Sequence, residues 1–128
     1  MGGNGTVDRD PEVLDSTQAL SRVGGDLAIL LEIVGIIHAA WPALICDIEG
    51  AVAARNLGAV KRTTHLAKIA ADNVSASRTY QCALCVNGLA EHGEWHAAME
   101  ACGRLKHEVS QLEPALAELE DALWFLQS

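Results

Sequence analysis

The residues of this 128-residue chain whose types and spacing suit chemistry best are His65 and Lys68. They lie in Thr64-His65-Leu66-Ala67-Lys68-Ile69-Ala70-Ala71-Asp72-Asn73-Val74. On a helix turning about 100° per residue, both fall on one face, together with Gly58, Lys61, Arg62, Ile69 and Asp72. Val60, Thr63, Ala67, Ala70, Ala71 and Val74 fall on the other, where small side chains let neighbouring helices come close. His65 should therefore point at solvent among cations. A neutral imidazole is a nucleophile near neutral pH, and an ammonium one turn away can hold phosphate oxygens. The pattern suits a phosphoryl acceptor.

A second group could do different chemistry. Cys82-Ala83-Leu84-Cys85 is a Cys-x2-Cys pair, followed by His92, His96, Cys102 and His107. Zinc accepts such ligands, but the spacing fits no common finger and the segment reads as continuous helix. Cys82 and Cys85 fall where that helix needs core residues, so small buried thiols are expected. No metal site is assigned and no cofactor is expected; a metal or redox sensor built on Cys82, Cys85, His92 and His96 is the lesser alternative. His38, beside Trp41 on an apolar helix, is expected to be packed and hydrogen-bonded rather than a ligand.

The elements that must position His65 follow from periodicity and helix punctuation. Residues 1–11 are glycine-rich and polar and are expected to be disordered; residues 12–128 form the folded domain. A short helix is expected from Glu12 to Val23, ended by Gly24-Gly25. Asp26 caps a long helix running to about Arg55, with a kink near His38 imposed by Pro42. Asn56 caps the helix that carries His65. Residues 73–77 form a turn in which Ser75 or Ser77 caps the next helix, which runs to about Glu91. Gly93 breaks it, and a last helix starts near Glu94; Pro114 either kinks that helix or opens a separate C-terminal segment. Helices this long, joined by short turns, make an all-α antiparallel up-down four-helix bundle with a short N-terminal helix and, on the second option for Pro114, an extra C-terminal helical segment.

Composition and charge narrow the function. Half the residues are hydrophobic, but the chain has one Phe and one Tyr and no alternating β-branched runs, which favours helices. A net charge of −8 argues against nucleic acid. From Arg55 to Arg78, however, five cations stand against one acid. That basic island on an acidic body suits an acidic partner or a phosphate. The apolar stretch from Leu27 to Ile48 is interrupted by Glu32, His38 and Asp47, so it reads as a core helix and no membrane is expected. The first residues lack a signal peptide's pattern, which points to the cytoplasm and reduced thiols. No phosphate-binding glycine loop or kinase signature is present, so the chain does not use nucleotide by itself.

The segment around His65 resembles the phosphorylation helix of histidine-containing phosphotransfer (HPt) domains. The family pattern is a histidine, an apolar residue two on, a lysine three on, a glycine four on and a second glycine ten on. His65, Ala67 and Lys68 match, whereas Ile69 and Ser75 stand at the glycine positions. Helical patterning from about Gly24 to Glu113 also fits. The resemblance implies a stoichiometric phosphorelay intermediate in a bundle with the active histidine exposed midway along one helix. It implies that His65 accepts the phosphoryl group and Lys68 supports it. The partners it implies are receiver domains of a hybrid sensor kinase and of a response regulator. Lys61, Arg62, Ile69 and Asp72 are the expected docking residues. Ile69 either crowds the ring or adds an apolar docking contact, and in the first case the alternative is an adaptor that only binds receivers.

Overall fold

The structure, a computed structural model, describes residues 10–127. Five helices follow in order: α1 Ser16–Arg22, α2 Leu27–Ala53, α3 Leu57–Asn73, α4 Ser77–Glu91 and α5 Trp95–Gln127. The long helices α2 to α5 pack in a ring, each against its two neighbours, and α1 lies against α2. Among the described residues there is no strand, as expected for the all-α bundle. The expected disorder of residues 1–11 falls mostly outside the described residues. Asp10 and Pro11 belong to a turn in which Val13 N–H donates to the Asp10 carbonyl at 2.9 Å.

Local chemistry sets the boundaries. Asp26 and Asn56 cap α2 and α3 as expected, accepting from the N–H groups of Ile29 and Ala59. The first helix begins four residues later than expected, because Asp15 rather than an earlier residue caps it, accepting from Gln18 N–H at 3.0 Å. Val13 and Leu14 are buried as part of the incoming strap. Neither Ser75 nor Ser77 caps α4: Ala76 stands at the cap, and the Ser77 hydroxyl donates to the Glu12 carbonyl instead. Both internal prolines lie inside continuous helices, so among the described residues Pro114 opens no separate C-terminal helix. Pro42 and Pro114 are exposed, and water can reach the carbonyls their rings leave unbonded.

The turns share one design. After each of α1 to α4, an amide three residues past the helix end bonds back across the last turn: Gly25 to Leu20, Asn56 to Ala51, Ala76 to Ala71 and Glu94 to Leu89, at 2.8–3.0 Å. The residue before each donor has positive φ. Gly24 and Gly93 meet that need without strain, but Arg55 (φ 52°) and Ser75 (φ 55°) do not. Ser75 thus costs more than its sequence context implied, and its buried Oγ has no partner among the described residues. Ser75→Gly is expected to raise stability by about 1 kcal/mol, measured by chemical denaturation; an unchanged midpoint would contradict this account of the turn.

Trp41, wholly buried on α2, is the largest fully buried side chain, and Leu30, Ile48, Leu105, Leu112 and Leu116 are among those buried with it. By length and composition alone α2 could cross a membrane, with a mean hydropathy of 2.0 in its most apolar window. In the fold it is a bundle helix packed on α3 and α5. His38 is half-buried, and its Nδ1 pairs with Glu120 on α5, as expected of a packed histidine.

Candidate functional site

Helix α3 divides into a buried and an open face much as its sequence prescribes, except that Thr64 is buried where Thr63 was expected and Thr63 is only half-buried. Val60, Thr64, Ala67, Ala70 and Ala71 are buried. Thr64 enters the core because its hydroxyl donates to the Val60 carbonyl at 2.7 Å, and Thr63 does the same to Ala59 at 2.8 Å. Alanine at 67, 70 and 71 brings the helix close to its neighbours. The register of that buried face leaves His65 exposed on the crest of α3, with Lys68 half-buried one turn on. Ile69 is 46% exposed and Leu66 is 54% exposed, so an aliphatic flank borders the ring.

The charged residues around His65 differ in availability. Lys61 Nζ is 3.2 Å from Glu91 Oε2 on α4. Asp72 is paired with Arg22 of α1, Nη2 to Oδ2 at 3.0 Å, and the Arg22 guanidinium also donates to the Asp72 carbonyl. Arg62 is exposed and folds back along α3: its Nη1 lies 3.6 Å from where a Cβ on Gly58 would stand. Lys68 has no ion pair among the described residues. The structure therefore brings His65, Lys68, Ile69 and Leu66 together as an open surface, while Lys61 and Asp72 are held by other helices. Leu66 was missed by sequence reasoning; its place at the edge of the apolar face, one residue past His65, was the available signal.

No family model matches the sequence, and no curated protein does. The structure does have a counterpart. It is similar to the crystal structure of the HPT domain of a sensor hybrid histidine kinase from Shewanella, with a TM-score of 0.77 and 14% sequence identity over 88% of this chain and 97% of that one. The chain has the fold of a histidine-containing phosphotransfer domain. In this HPt-type bundle His65 occupies the exposed crest of α3, and the two departures from the family pattern, Ile69 and Ser75, sit beside the ring and in the following turn.

The cysteines require a correction. Cys85 is exposed and Cys82 only half-buried, because Thr79, Ala83, Val86 and Ala90 supply the buried face of α4. Burial, with the nearby Glu108 carboxylate adding to it, pushes the Cys82 thiol up. Burial pushes Cys102 up to about 11. Both are thiols rather than thiolates near neutral pH. His92 Nδ1 bonds back to the Gly88 carbonyl, and His96 lies beside Glu100. Among the described residues no three His, Cys, Asp or Glu side chains are grouped to hold a metal ion.

Proposed function

We propose that this protein is a phosphorelay intermediate that carries a phosphoryl group on His65. The observation that carries the reading is an exposed histidine on the crest of a bundle helix, a lysine one turn on, in a fold of the HPt type. The donor is an aspartyl phosphate of a hybrid-kinase receiver domain. The unprotonated ring nitrogen of His65 attacks phosphorus, the N–P bond forms as the P–O bond breaks, and the aspartate leaves as its carboxylate. The reverse chemistry passes the group to a response-regulator aspartate. Phosphoryl transfer asks the protein mainly for positioning and for cations near the developing charge. Lys68 meets the second need, and the open surface around His65 meets the first. The aliphatic flank of Leu66 and Ile69, with Arg62 at its edge, is the docking surface for the receiver. The reading implies the cytoplasm as the compartment.

Ile69 supports a second reading. Its branched side chain stands one turn past His65 where the family pattern has glycine, and an adaptor would bind receivers through it without being labelled. Mixing the protein with a phosphorylated receiver separates the two. Acid-labile phosphate moving onto the protein supports the carrier; a complex without label supports the adaptor.

A further inference from the structure

Side chains on an α-helix lean toward its N-terminus. The His65 ring therefore leans over the turn that carries Lys61, and Lys68 leans back toward His65. Lys61 and Lys68 are seven residues apart and share the edge of α3 that meets α4, as the Lys61–Glu91 contact fixes. Arg62, in the same turn as Lys61, is directed away from His65 over Gly58. Lys61, the cation of this turn that is not folded over Gly58, is thus already occupied by a carboxylate and would have to turn from Glu91 to meet a group on His65.

We propose that Lys61 is a second phosphoryl-binding ammonium, held by Glu91 until His65 is phosphorylated. The inference rests on His65 being the acceptor. The Lys61–Glu91 pair is half-exposed, 53% and 42%, and such pairs are weak. A phosphoryl group brings nearly two negative charges and three acceptor oxygens, against one charge on Glu91. It also appears within one helical turn of Lys61. Lys61 then leaves Glu91 for the phosphoryl oxygens, and the group is held between two ammoniums, Lys61 from one side and Lys68 from the other. Glu91 touches no reacting atom; it is a positioning residue that acts through Lys61 and sets how readily that ammonium is released.

Phosphoramidate tests this without any receiver, since it transfers its phosphoryl group to a histidine ring nitrogen and leaves as ammonia. The initial rate of His65 labelling is compared for the wild type, Lys61→Ala, Glu91→Gln and the double variant at low salt. Lys61→Ala is expected to lower the rate roughly threefold and Glu91→Gln to raise it roughly threefold. In the Lys61→Ala background, Glu91→Gln should change nothing. A carboxylate acting only through its own charge would show the same increase in both backgrounds. That result, or an unchanged rate in Glu91→Gln, would overturn the proposal while leaving His65 as acceptor. Absence of label in all four proteins would instead remove the acceptor, and this inference with it. Both side chains are half-exposed, so the thermal midpoints of the variants should stay close to that of the wild type.

Discussion

Replacing Trp41 with alanine is expected to cost about 4 kcal/mol and to bring the bundle close to unfolding at moderate temperature. The residue is wholly buried midway along α2, and truncation leaves a cavity that neighbouring helices can collapse into only in part. Phenylalanine makes a more searching comparison. The Trp41 indole N–H is buried with no acceptor among the described residues, so Trp41→Phe removes an unpaired donor along with some volume. The two effects oppose each other, and the net cost should stay below about 1.5 kcal/mol. Denaturant melts of both variants check the pair of values. Equal losses would mean that the indole N–H finds a partner, such as a buried water, that the account omits.

Lys68→Ala is expected to slow phosphoryl transfer to His65 about tenfold while leaving the bundle's stability almost unchanged. A charge-assisted contact with a phosphoryl oxygen is worth roughly 1.5–3 kcal/mol when well formed, and a half-buried flexible lysine belongs at the low end. The residue has no ion pair among the described residues, so its loss breaks no bridge between helices. Transfer from a phosphorylated receiver, timed by rapid mixing, gives the rate, and a thermal melt gives the stability. A large fall in melting temperature would show that Lys68 holds the fold rather than the phosphate. Lys68→Arg should recover part of the rate, since it restores charge but not the compact ammonium.

The features legible in the sequence were those set by short-range chemistry. The two faces of α3 follow from a 3.6-residue period, and the alanines and Val60 that fix the buried side also fix where His65 points. Asp26 and Asn56 announce their helices because a cap is a local hydrogen bond. Features that depend on the meeting of distant segments were not legible. Nothing near Lys61 signals Glu91, thirty residues on, and nothing near Asp72 signals Arg22. The same holds for Cys82 and Cys85, whose exposure is set by how α4 rolls against α5. Ser75 was misjudged for another reason: the residue types in that turn suited a cap, whereas the closing hydrogen bond from Ala76 to Ala71 demands a left-handed residue. For Pro114 the sequence left two outcomes open, because a proline's effect depends on whether the solvent side of the helix can absorb it.

The measurement closest to the central claim is the location of the phosphate after incubation with a phosphorylated receiver domain. The account predicts acid-labile, alkali-stable label on the wild type, mapped by peptide mass to His65, and none on His65→Gln, whose melting curve matches the wild type because the ring lies outside the core. Label that persists in His65→Gln, or a well-folded wild type that binds the receiver and takes up no phosphate, would contradict it.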